Sequence, residues 1–112
     1  MDPEVLTWLE QIRERIIELE EDVASVGFGA FLASRPLKRS AERNIEEIGE
    51  AMGRILRTTP DIAISEAKRI VSARNRLAHD YDRISHDILW LIIERDLPTL
   101  KLEVEALLRQ HG

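Results

Sequence analysis

Apolar residues recur at steps of three and four along most of the chain, and no other feature narrows the fold as far. Val5, Trp8/Leu9, Ile12, Ile16, Leu19, Val23 and Val26 keep one stripe on one face of a helix. Asp2 followed by Pro3 supplies a cap and a first-turn residue, and Gly27 a stop, so a first helix is predicted over 3–26. The stretch GFGAFLAS, 27–34, reads as a loop that docks Phe28 and Phe31 on the core, and Pro36 marks a new start. Leu37, Ala41, Ile45, Ile48, Met52 and Ile55 then carry a second helix to Arg57.

TTPD at 58–61 ends that helix, and a third is predicted from about 62 with Ile64, Ala67, Ile70/Val71 and Leu77 inside. It should stop near His79, because Asp80, Tyr81 and Asp82 are weaker helix formers and Asp82 or Ser85 can cap the next helix. A fourth helix carries Ile84, Ile88, Leu91/Ile92 and Leu97, Pro98 kinks or breaks the pattern, and Leu100, Val104, Leu107 and Leu108 continue it. His111 is expected to be disordered. Four to five amphipathic helices with short loops pack naturally as an antiparallel bundle, so the expected fold is all-α, with residues 1–112 forming a single helical domain. Aromatics at only 4% of residues agree with helices rather than sheets.

The chain has no cysteine, which removes disulfide frameworks, thiolate zinc sites and cysteine nucleophiles. No segment reaches the roughly 18 consecutive apolar residues of a membrane span, and the acidic start MDPEVLTWLEQIRERI does not suit a signal peptide. A cytoplasmic protein without membrane association is expected. The net charge of −5 is unevenly spread. Residues 1–22 hold eight acids against Arg13 and Arg15. Residues 68–83 (Lys68, Arg69, Arg74, Arg76, Arg83 against Asp80, Asp82) and 35–43 (Arg35, Lys38, Arg39, Arg43 against Glu42) are each basic. Local basic patches on an acidic body suit a confined phosphate site better than a long nucleic-acid track. The 35–43 patch is expected to be a solvated helix start, the alternative being that it helps hold an RNA backbone, and Glu42, Arg43, Glu46 and Glu47 are expected in exposed pairs along one helix.

The chemistry-bearing stretch is RNRLAHDYDRI, 74–84. On one ideal helix Arg74 and His79 stand about 140° apart around the axis, whereas Asn75 and His79 share a face. Arg74 and His79 converge if the helix ends near His79, or if a second copy brings its own pair to a common cleft. RNA is cut without metal when its 2′-hydroxyl attacks the neighbouring phosphate, which needs a base, an acid and positive charge at phosphorus. Histidine can transfer the proton near neutrality, and arginine holds phosphate oxygens in a fork. One histidine covers one proton transfer, so a symmetric dimer would complete the set. Three plainer readings stay open. Arg and His near a helix C-terminus can simply bond its last carbonyls; Tyr81 can be a half-buried aromatic with a wet hydroxyl, and Arg76 and Arg83 can pair with Asp80 and Asp82. His79, Asp82, His86 and Asp87 also have spacings that could gather a divalent ion, although the set lacks a second clustered histidine pair.

Arg74, four intervening residues, His79, one residue and Tyr81 reproduce an Arg-x4-His-x-Tyr signature, and the chain resembles the HepT-like branch of the HEPN superfamily. FGAFLASRPLKRSAERNIEEIGEAMGRI and DILWLIIERDLPTLKLEVEALL resemble that family's second-helix and C-terminal blocks, so the similarity spans about 4–109. PDIAISEAKRIVSAR, from Pro60 to Arg74, is longer than the usual approach to the motif, which bears on where helix three starts. The resemblance implies a homodimeric helical bundle that needs no cofactor. In it Arg74 and His79 cut RNA without metal, and Asn75 and Asp80 orient them. It also implies a toxin whose antitoxin partner is a minimal nucleotidyltransferase, able to transfer AMP to Tyr81, where added phosphate would block the cleft and repel RNA. The alternative is a non-catalytic helical module that partners a nucleotidyltransferase.

Overall fold

A computed structural model describes residues 1–78 and 85–111. Among these residues the chain is helical without strands: α1 is Pro3–Val23, α2 Phe28–Ala33, α3 Arg35–Thr58, α4 Ala67–Ala78, α5 His86–Leu91 and α6 Leu97–His111. A π-helical turn, Ile92–Asp96, joins α5 to α6 in one rod. The all-α fold expected from the periodicity is the fold observed.

Side-chain caps operate at the N-termini, Asp2 as predicted and Ser34 ahead of the Pro36 start. Asp2 Oδ1 accepts from the Glu4 amide at 2.8 Å with Pro3 as the first helical residue, and Ser34 Oγ accepts from the Leu37 amide at 3.2 Å. Each satisfies an amide that the helix itself leaves orphaned. Val5, Leu9, Ile12, Ile16 and Leu19 of α1 are fully buried, facing Ala41, Ile45, Ile48, Met52 and Ile55 of α3, which are also fully buried. The pairs Arg15–Glu47 at 3.4 Å and Arg43–Glu18 at 3.7 Å run in opposite chain order, so α1 and α3 are antiparallel. The same holds for α1 and α6, joined by Arg13–Glu105 at 3.1 Å and Lys101–Glu20 at 2.9 Å. Thus α3 lies between α1 and α4, and α6 closes over α1. Arg43 and Glu47 pair across to α1 rather than with each other along α3, whereas Glu50 pairs with Arg54 within α3 at 3.0 Å.

Four expectations about helix ends and faces are corrected here, and the start of the third predicted helix below. First, α1 ends at Val23, not at Val26 ahead of Gly27: Ser25 takes the left-handed conformation (φ 63°) and closes the helix where glycine was expected to. Second, 28–33 is a short helix, not a loop, and only Phe31 is buried. Phe31 and Phe28 lie 5.0 and 6.0 Å from Trp90, between ring centres, so α2 is pinned to α5 by aromatic contact. Third, the apolar face of α5 is rotated. Ile88 and Leu91 are 36% and 43% exposed, whereas Leu89, Trp90, Ile92 and Ile93 are buried, because ILWLII is apolar all round and its period cannot choose a face. Fourth, His111 is helical, the last residue of α6.

Pro98 does not break the C-terminal rod. Lacking an amide hydrogen, it cannot serve the carbonyl one turn upstream, and the chain widens into the π turn, in which the Leu97 amide reaches Ile92 O. Helix α4 starts at Ala67 rather than near 62. The segment before it folds back on itself, with Ile64 N on Ile62 O, and Glu103 of α6 accepts from both the amide and the hydroxyl of Ser65 at 3.0–3.2 Å. The longer approach to the motif seen in the sequence is this anchored turn. Among the described residues, no helix is long and apolar enough to cross a membrane.

Candidate functional site

Helix α4 carries Arg74 and Asn75 in its last turn and a half. Ala67, Ile70 and Ala73 are buried and seat the helix on the core. Arg74 is half-buried and its stem crosses Gly49 of α3. A Cβ at Gly49 would overlap Arg74 Cβ and stand 2.9 Å from Ile70 O. The guanidinium Nη1 donates to Asn75 Oδ1 at 3.4 Å, a long bond between neighbours. Arg74 Nε is buried and has no partner among the described residues. A charged N–H removed from water without an acceptor is costly, so the packing that holds this group there does so at a cost in stability.

His79, Asp80 and Tyr81, the remaining site residues expected from the sequence, lie outside the described residues, as do Asp82 and Arg83. Helix α4 is described to Ala78, so Arg74 and Asn75 lead directly into that segment from its N-terminal side. On its C-terminal side Ser85 Oγ accepts from the Ile88 amide at 3.3 Å and starts α5.

Arg76 faces away from Arg74. With Arg69, Ser72 and Ala73 it forms one wall of a groove of about 350 Å³, whose other wall is Ile88, Leu91 and Ile92 of α5. Arg69 Nε lies 3.3 Å from Asp96 Oδ2 as an ion pair, although that oxygen lacks a partner in hydrogen-bond geometry. Asp96 is only 10% exposed at the side chain, so the pair is little screened by water on the carboxylate side. Arg76 Nε, like that of Arg74, is buried without a partner among the described residues. The two arginines thus serve different surfaces.

His86 stands 3.9 Å from Glu42 of α3, so of the four residues with metal-like spacing it is turned to a carboxylate outside that set. Among the described residues no three acids or histidines gather as a ligand cluster; His79 and Asp82 lie outside them. The 35–43 patch begins α3, half-exposed or exposed apart from buried Ala41.

Sequence reasoning passed over Gly49. Its signal was present: in NIEEIGEAM a glycine occupies the apolar stripe between Ile48 and Met52, where helix propensity favours almost any other residue. Asn44, the buried polar residue on the same helix, donates from Nδ2 to Ser40 O at 3.0 Å and to Ser40 Oγ at 3.2 Å.

An all-helical chain with a half-buried arginine at the end of α4 defines a class, and comparison with known proteins narrows it. The family described as Ribonuclease HepT-like matches residues 10–107. A protein of Thermococcus cleftensis named "Probable ribonuclease HepT" is 33% identical over 89% of this chain and 92% of its own length. Two proteins provisionally named as RNases are 28% and 29% identical over more than nine-tenths of both chains. One is from Caldanaerobacter subterraneus and the other from Methanocaldococcus jannaschii. No solved structure matches the chain. The chain belongs to the HepT-like ribonuclease family.

Proposed function

We propose that the chain is an endoribonuclease that cuts RNA without metal, at a site formed by Arg74 and His79 and completed by a second copy of the chain. The observation that carries this reading is Arg74 itself: a half-buried cation with Nε shielded and unpartnered among the described residues, at the helix end that leads to His79. Its fork suits the equatorial oxygens of a pentacoordinate phosphate, which carry more charge in the transition state than in the ground state. His79 takes the proton from the attacking 2′-hydroxyl as base, or delivers one to the leaving 5′-oxygen as acid, the partner copy's histidine serving the other transfer. Asn75 holds one arm of Arg74, and Asp80 orients the histidine.

In the same reading the protein is the toxin of a toxin–antitoxin pair, restrained by a minimal nucleotidyltransferase that attaches AMP to Tyr81. The added phosphate, two residues from His79, repels the RNA backbone and fills the cleft.

The test is cleavage of labelled total RNA in excess EDTA by the parent protein, His79→Ala and Arg74→Ala. Cleavage by the parent should survive chelation. Removing Arg74 should lower it by about 10²- to 10³-fold, the usual effect of deleting one donor to a developing oxyanion. His79→Ala protein that cleaves like the parent sinks the reading. A parent that binds a nucleotidyltransferase but cleaves nothing points instead to the non-catalytic module.

A further inference from the structure

We infer that Gly49 is a positioning residue: the missing side chain on α3 is what lets α4 approach closely enough to aim Arg74. The inference rests on the proposed role of Arg74 and adds to it a residue on a different helix. The geometry is specific. A Cβ at Gly49 would overlap Arg74 Cβ, stand 3.0 Å from Arg74 Cγ and stand 2.9 Å from the carbonyl oxygen of Ile70, which is backbone and cannot swing aside. Gly53, one turn further along α3, is different: a Cβ there would meet only the mobile end of Arg57, Nη1 at 3.6 Å. Two glycines in one helix thus separate cleanly into one that the packing requires and one that it does not.

The consequence concerns direction more than stability. An arginine has four side-chain torsions, and its guanidinium normally samples a wide volume. Here the first two carbons of the stem lie against the bare backbone of α3, Nε is buried, and Nη1 is turned to Asn75. With the root of the side chain walled in, only the outer torsions remain to place the fork. A methyl group at position 49 pushes α4 outward on the scale of a bond length and moves the root of Arg74 with it. Displacement of about 1 Å at a catalytic group costs on the order of 100-fold in rate. Because arginine is asked to stabilise charge that develops only in the transition state, the loss falls on kcat rather than KM.

The experiment compares Gly49→Ala, Gly53→Ala, Arg74→Ala and the double variant Gly49→Ala/Arg74→Ala in steady-state RNA cleavage, with thermal melts and circular dichroism alongside. Gly53→Ala should keep the parent's kcat. Gly49→Ala should remain helical, lose about 100-fold in kcat and change KM by less than about threefold, and the double variant should be no slower than Arg74→Ala alone. A folded Gly49→Ala protein within about threefold of the parent's kcat overturns the inference. So does a double variant that multiplies the two losses.

Two further readouts cover the remaining outcomes. If Arg74→Ala cleaves like the parent, the ribonuclease site is misassigned. Gly49 is then judged by the Nε–Hε resonance of Arg74 in nitrogen-15 spectra, which should move in Gly49→Ala and stay in Gly53→Ala; an unmoved resonance overturns the inference. If Gly49→Ala does not fold, adding Arg74→Gly should restore part of the helical signal, because it removes the nearer obstacle and leaves only Ile70 O at 2.9 Å; no recovery at all overturns the inference as well.

Discussion

Two parts of this molecule are finished to different degrees. Where α1 meets α3 and α6, the apolar stripe of α1 is fully buried from Val5 to Leu19, and ion pairs from Arg13, Arg15, Arg43 and Lys101 cross between helices above it. At the α4–α5 end, Ile88 and Leu91 remain exposed beside a groove, and the buried Nε atoms of Arg74 and Arg76 have no acceptor among the described residues. The first part buries its apolar stripe and pairs its charged groups within one chain, although Asn44 Oδ1 of α3 is also buried there without a partner among the described residues. The second leaves apolar side chains open to solvent and two buried arginine N–H groups without an acceptor among the described residues, both of which cost stability in an isolated chain.

The contrast can be broken by stability measurements, the largest effect coming from the finished side. Leu19→Ala removes a fully buried side chain and should cost about 2–5 kcal/mol in urea unfolding, whereas Leu91→Ser should stay within about 0.5 kcal/mol. Equal losses would mean that the α4–α5 end is as closely built as the rest. Glu103→Ala should cost about 1 kcal/mol, since its carboxylate holds both polar groups of Ser65. The change should also speed hydrogen exchange at Ser65 and the residues that lead into α4.

The smallest effect is a pH dependence. The hydrogen bond to Glu20 raises the Lys101 ammonium above its ordinary value of 10.5, with burial opposing and the charges of Glu20 and Glu105 adding to the rise. A raised cation stabilises the fold fully below the unfolded value and loses that contribution as pH rises through the folded one. The melting-temperature gap between parent and Glu20→Gln should therefore be flat around neutrality and shrink only above pH 10.5. A gap that shrinks below pH 9 or so would place the pair's contribution elsewhere.

Much of the fold was legible because helices announce themselves locally. The steps Val5–Leu9–Ile12–Ile16–Leu19 and Ile45–Ile48–Met52–Ile55 named the buried faces residue by residue, and Asp2, Ser34 and Ser85 cap the helices they precede. Legibility failed where the local signal was degenerate. ILWLII is apolar on every side, so its inward face was set by which positions meet Phe31 and the core rather than by period. Ser25 closed α1 in a conformation that glycine is expected to fill, and Glu103 moved the start of α4 by holding Ser65 from a distant helix.

The sequence by itself determined the helical class and the residue types of the motif, because periodicity, caps and the spacing from Arg74 to Tyr81 are properties of neighbours along the chain. It could not determine that Gly49 and Arg74 belong to one another. They sit on successive helices with a turn between them, and the pairing exists only where α3 and α4 come close enough for a single missing methyl group to matter. Close packing makes that contact decisive: an interior without slack turns one absent side chain into the place where another must lie.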